Sequence, residues 1–181
     1  MKTDTTSSFE LRLKNPQASP AAWAGMVALQ QAVNGLGLDP TLFELVKLRA
    51  SQINGCAFCI DMHFHDGLRR GERPDRLYLL EAWQEVGIYT ARERAALRWT
   101  EALTRLAGQP VSDEVYAAVR AEFTEAEMLN LTLAIIAING WNRFNVGFRV
   151  PPRAEIFPVS KKPARSGDSV AAAPASTPIA A

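Results

Sequence analysis

Both cysteines and both histidines of the chain fall between Cys56 and His65, in the stretch NGCAFCIDMHFH. A C-x-x-C pair is a unit that can pass between dithiol and disulfide, and an imidazole close to it can move the protons that this requires. At about 100° per residue on an ideal helix, counted from Cys56, Cys59 lies at about −60°, His63 at about −20° and Asp66 at about −80°. His65 lands on the opposite side. One helix face therefore carries two thiols, one imidazole and one carboxylate. A histidine four residues beyond a cysteine stands one turn above it and can accept its proton, while the positive end of the helix dipole favours a thiolate at Cys56. Cβ atoms at i and i+3 are about 5–6 Å apart, and a disulfide needs about 3.5–4.5 Å. Closure therefore requires Cys56 in an adjustable first turn, which Gly55 permits.

Other chemistry can be weighed on the same residues. A structural zinc needs four ligands, and of Cys56, Cys59, His63 and His65 the last points the wrong way. Covalent haem needs C-x-x-C-H, but Ile60 follows Cys59. A four-cysteine iron–sulfur cluster cannot be made by one chain with two cysteines. A thioredoxin-like site would be flanked by strands, which the pattern does not give. The plain alternative is that Cys56, Cys59 and Met62 are buried small hydrophobes, and spacing leaves that open.

The elements that must position these residues read as helices throughout. SPAAWAGMVALQQAVNGLG suggests a helix closing at Gly35 or Gly37 with a left-handed glycine cap. Asp39-Pro40 supplies an N-cap and a first-turn proline for DPTLFELVKLRASQI, which Asn54-Gly55 interrupts. CAFCIDMHFHDGLRRG follows as a short helix ending near Gly71, and PDRLYLLEAWQEV restarts on its own proline. Thr90 with Glu93, and Thr124 with Glu127, form capping-box signatures before two further helices, with SDEVYAAVRAEF as a short helix between them. No sustained alternation predicts a strand, so the fold class is all-α.

Within the second helix Glu44, Lys47 and Ser51 share a polar stripe, which periodicity alone predicts to be solvated with an i, i+3 ion pair. Arg49 sits among apolar positions, so it would need a partner if buried and could mark a subunit contact. Trp23, Trp83, Trp99 and Trp141 are expected in the core or at an interface.

With 181 residues, 48% hydrophobic and 22% charged, the chain suits a single core. We expect an N-terminal extension over 1–19, a helical domain over 20–150, and a flexible Pro/Ala/Ser-rich tail over 151–181 that buries too little to offset its ordering. A net charge of +1 gives no reason to expect nucleic acid or an anionic membrane as partner. No apolar signal core or membrane-spanning run is evident, so a cytoplasmic location is expected. In that compartment a C-x-x-C pair is more often redox-active or metal-binding than a structural staple.

The stretch FELVKLRASQINGCAFCIDMHFHDGLRRGE resembles the core signature of the alkylhydroperoxidase D / carboxymuconolactone decarboxylase family, E-x-V-x-L-x-x-S-x-x-N-x-C-x-x-C-x-x-x-H. Glu44, Val46, Leu48, Ser51, Asn54, Cys56, Cys59 and His63 fall in register, and the similarity extends over about residues 20 to 148. The resemblance implies an all-helical fold assembling into homotrimers or homohexamers. It also implies a peroxidase site in which Cys59 attacks the peroxide, Cys56 resolves the sulfenic acid, and Glu44 acts through His63 to activate the pair. It further implies a thiol or lipoyl-protein reductant, with no metal, flavin or haem. Alkylhydroperoxidase D carries a further histidine between the cysteines, where this chain has Ala57 and Phe58. Decarboxylases of the same fold act on a lactone without a cysteine pair, so the retained pair argues for the peroxidase branch. A non-redox lyase and a redox-sensing oligomer are the alternatives.

Overall fold

A computed structural model describes residues 10–13, 15 and 18–152. Its elements are α1 (Pro20–Asn34), α2 (Pro40–Ile53), α3 (Ala57–Arg69), α4 (Pro74–Tyr78), a 3-10 segment (Leu79–Glu85), α5 (Ala91–Thr104), α6 (Asp113–Glu122) and α7 (Glu125–Phe148). The described residues contain no strand, as the all-α expectation requires. The expected tail lies outside the described residues beyond residue 152, as does most of the expected N-terminal extension. Of that extension, Arg12 donates its backbone N–H to Phe148 O at 3.0 Å, at the end of α7.

The predicted helix starts are built as their side chains dictate. Asp39 accepts from Leu42 N at 2.8 Å, satisfying one of the donors that a helix start leaves open. Thr90–Glu93 and Thr124–Glu127 both close as reciprocal capping boxes. Two expectations need correction. Gly35 caps α1 in the right-handed region at φ −85°, and the left-handed turn comes two residues later at Gly37. PDRLYLLEAWQEV is not one helix: after five residues it tightens into the 3-10 segment, with a non-helical break at Ala82. That tightening turns Leu77, Leu80 and Trp83 into one cluster with α2.

Helix α2 lies at the centre. Leu42 and Val46 join Ala95, Ala96, Trp99 and Leu131 in one apolar cluster, whereas Leu45 and Leu48 join Leu77, Leu80, Trp83 and Leu97 in a second. Phe43 packs against a third, formed by Val33, Ala134 and Ala137. Each fully buried Leu or Val here contributes about 1.5–3 kcal/mol of transfer free energy. A helix enclosed in this way has no solvent side, so Glu44 through Ser51 are all buried. This overturns the solvated stripe expected for Glu44, Lys47 and Ser51.

Two glycines set how α3 meets its neighbours. Gly55 adopts φ +64°, reversing the chain between α2 and α3. At Gly67 a Cβ would lie 3.0 Å from Leu77 Cδ2, so a side chain there would have to displace the buried Leu77 between α3 and α4.

Candidate active site

Three helices converge on the cysteine pair. Cys56 is the N-cap of α3, and its Sγ accepts the Cys59 backbone N–H at 3.3 Å. The two cysteines are joined as a disulfide with Cα atoms 5.3 Å apart. Both are buried, at 1% and 0% exposure. One turn on, His63 is 5% exposed, while His65 is largely exposed and bonds to Asp61 O. The register read from the sequence thus places His63, and not His65, on the inner face with the cysteines.

From α2, Glu44 meets this face at 1% exposure. Its Oε2 lies 3.0 Å from His63 Nδ1, and its Oε1 accepts from Lys47 Nζ at 2.7 Å and Arg70 Nε at 3.1 Å. Burial alone would raise the Glu44 carboxyl, but the bonds from His63 and Lys47, with the Lys47 charge, outweigh it and bring it from 4.5 to about 2. Burial pushes His63 below 6.5, against the hydrogen bond to Glu44. Lys47 is also held below its ordinary 10.5 by burial, opposed by Glu44. At neutral pH the arrangement is therefore a carboxylate beside a neutral imidazole. A carboxylate only accepts, so Nδ1 carries the proton and donates, which leaves Nε2 with a lone pair. Nε2 is buried and has no hydrogen-bond partner among the described residues.

His63 opens on a cavity of about 440 Å³ lined also by Trp23, Phe58, Met62, Ile138 and Trp141. The polar side chains at its wall are largely engaged elsewhere. Gln30 accepts from Trp141 Nε1 at 3.1 Å and donates to Asn34, and Lys47 binds Glu44 while lying 4.0 Å from the Phe43 ring centre. The cavity is thus largely apolar, with His63 and Asn145 among the polar residues at its wall.

Glu44, His63 and Asp66 bring ligand atoms within 4.8 Å of one another. A divalent ion there would have to displace two cationic side chains from Glu44 Oε1 and the imidazole proton from Oε2. The set therefore suits proton handling better than metal binding.

Helix α7 supplies residues that the sequence reading missed. Asn145 Nδ2 lies 3.2 Å from Cys59 Sγ. Asn142 donates to Ser51 Oγ at 3.0 Å, and Asn54 donates to Asn139 and Asn142, both at 2.9 Å. The available signal was NGWNRFN: three asparagines at steps of three within an apolar helix, where Asn is a poor helix former. Arg49, expected to need a partner if buried, is buried and finds Glu101 within its own chain at 2.8 Å.

Comparison with known proteins places these residues in context. The sequence profile of the carboxymuconolactone decarboxylase family matches residues 20–102. The uncharacterized protein YdfG of Bacillus subtilis is 38% identical over 135 residues, 75% of this chain and 92% of that protein. A crystal structure from Agrobacterium tumefaciens, of a protein of unknown function named as a candidate antioxidant defence protein AhpD, shares 40% identity. It superposes with a TM-score of 0.77 over 79% of this chain and 98% of that one. The debrominase Bmp8, solved with 2,3,4-tribromopyrrole, shares the fold at TM-score 0.67 and 17% identity, over 76% of each chain.

Proposed function

This chain belongs to the carboxymuconolactone decarboxylase family, and from that premise we propose that it is a thiol-dependent peroxidase working through Cys56 and Cys59. The observation that carries the reading is His63 Nε2, a buried lone pair without a partner, on the turn after Cys59 and with its other nitrogen tied to Glu44. In the reduced protein that lone pair takes the Cys59 thiol proton. The Cys59 thiolate attacks the terminal oxygen of a hydroperoxide, the O–O bond breaks, and the imidazolium returns the proton to the departing alkoxide. The products are an alcohol and a Cys59 sulfenic acid. The Cys56 thiol then displaces that hydroxyl as water, forming the disulfide. A dithiol, free or carried as a lipoyl group on a protein, returns two electrons and two protons.

The apolar cavity supports organic hydroperoxides in preference to hydrogen peroxide, since its walls stabilise an apolar body at about 0.8 kcal/mol per buried methylene. Exposed Leu129, Ile136 and Val146 along α7, with Tyr116 sharing a surface recess with Leu129 and Leu106 one with Ile136, support assembly into a homotrimer or homohexamer. The test is turnover of cumene hydroperoxide and of hydrogen peroxide with dithiothreitol, together with dimedone labelling. The expected result is cysteine-dependent turnover favouring cumene hydroperoxide, with dimedone captured on Cys59 in Cys56→Ser and nothing captured in Cys59→Ser. Oxidation of the pair without turnover would instead indicate a redox sensor. Turnover that survives loss of both cysteines would overturn the reading.

A further inference from the structure

Each sulfur of the pair has its own hydrogen-bond donor, and the two donors differ in kind. Cys56 Sγ accepts the backbone N–H of Cys59, a local helix-start contact, whereas Cys59 Sγ faces the Asn145 side chain from α7, 86 residues away. A disulfide sulfur has no proton to give, so only the amide N–H2 end of Asn145 can face it. Asn145 continues the row of Asn139 and Asn142, which is tied to Ser51 and Asn54, so packed helices fix its position.

The sulfurs also adjoin different spaces. Cys56 lines a recess of about 80 Å³ with Gly55, Ala57, Val146 and Arg149, while His63 opens on the large apolar cavity, and Asn145 borders both. From this juxtaposition we infer that Asn145 is a catalytic residue that holds the negative charge of the Cys59 sulfur in both halves of the cycle, directing a thiol reductant to Cys56. A thiolate entering by the recess attacks Cys56 Sγ, the disulfide breaks, and a mixed disulfide forms on Cys56. Cys59 leaves as a thiolate onto the Asn145 N–H. A second reductant thiol then attacks the mixed disulfide and frees Cys56, so the reductant ends as a disulfide and the pair has gained two electrons. The Cys59 sulfur then exchanges its proton with His63 Nε2 as proposed above, and the amide favours the thiolate side of that exchange, the form that attacks the peroxide. The inference rests on the dithiol–disulfide cycle proposed above, but its test uses no peroxide, so the two can fail separately.

The thiolate absorbance of Cys59 near 240 nm is titrated in Cys56→Ser, alone and combined with Asn145→Leu or Asn145→Asp. Loss of one hydrogen bond to a charged sulfur is expected to raise the midpoint by about one pH unit in the Leu variant. The isosteric Asp, which replaces a donor with an anion, should raise it further. A packing role, which Leu meets by volume, would leave the midpoint of the Leu variant unmoved. In parallel, the oxidised full chain is treated with glutathione and trapped with N-ethylmaleimide. Glutathione is expected on Cys56 and maleimide on Cys59, with reduction about tenfold slower in Asn145→Leu. Midpoints unchanged in both variants, or glutathione on Cys59 in the parent protein, would overturn the inference.

Discussion

Two carboxylates receive buried cations from α2, and they end in opposite ways. Glu101 accepts from Arg49 Nε and Trp83 Nε1 on one oxygen, both at 2.8 Å, and from Arg105 on the other at 3.1 Å. Its partners are two guanidinium groups and an indole, none of which gives up a proton near neutrality, so the network is closed. Glu44 is as well supplied, by Lys47, Arg70 and His63, but one of its donors is a ring with a second nitrogen, and that nitrogen is unpartnered. The first network can only hold helices together; the second can also pass a proton. The difference lies in what is left over at the far end. A second buried atom without a partner, Glu72 Oε2, sharpens the point. Its carboxylate is tied to Arg76 and to the Arg73 backbone, and the residues lining the cysteine recess and the large cavity do not include it.

The largest effect that would break this comparison is expected at the free nitrogen itself. His63→Gln should lower peroxide turnover by roughly 10²–10⁴-fold, the range for loss of a positioned proton acceptor, while His65→Gln should leave it unchanged. Initial rates with saturating dithiothreitol measure both, and equal losses would mean that the open end at Nε2 is irrelevant.

Next comes the contrast between the two carboxylates. Ala at either position leaves a cation that α2 buries without its main partner, so Glu44→Ala and Glu101→Ala should each cost about 3–5 kcal/mol in urea unfolding. Turnover per folded molecule should fall only for Glu44→Ala. If both variants lose turnover alike, the closed network is not merely structural.

The smallest expected effect is in the pH dependence of stability. His63 has a folded-state value below 6.5, so the unfolded chain binds its proton first and stability declines as pH falls below about 6.5. Glu44, depressed from 4.5 to about 2, contributes stability that is present above 4.5 and lost as pH falls toward 2. Urea midpoints measured from pH 7.5 to 3 should fall in these two stages, and His63→Gln should flatten the first.

Much of the site was legible because it is local. Cys56, Cys59 and His63 lie within two turns of α3, where helix periodicity alone fixes their common face, and the caps at Asp39, Thr90 and Thr124 are set by side chains three residues from their partners. The burial of Glu44 and Lys47 was misread because periodicity predicts solvation only when a helix has a free side, and α2 has none. Asn145 and the Arg49–Glu101 pair span 86 and 52 residues between partners, so a single sequence can mark Asn145 and Arg49 as unusual within their helices but cannot name their partners. The break at Ala82 escaped for another reason: LLEAWQEV has good helix formers throughout, and the packing of Leu80 and Trp83 against α2 overrides them.

The enclosure of α2 also bears on which changes in chain length the protein can tolerate. Between residues 44 and 51 the helix aims Glu44 at His63, Arg49 at Glu101 and Ser51 at Asn142. One inserted residue there would turn everything beyond it by about 100° and advance it by about 1.5 Å, so no rotation of the helix could restore all three alignments together. A solvent-facing helix absorbs such a slip by turning its surplus residue outward, but α2 has no outward direction. Substitutions along this stretch can be compensated one at a time, whereas an insertion or deletion cannot, and α2 should keep a fixed residue count while the loop between α5 and α6 can change in length.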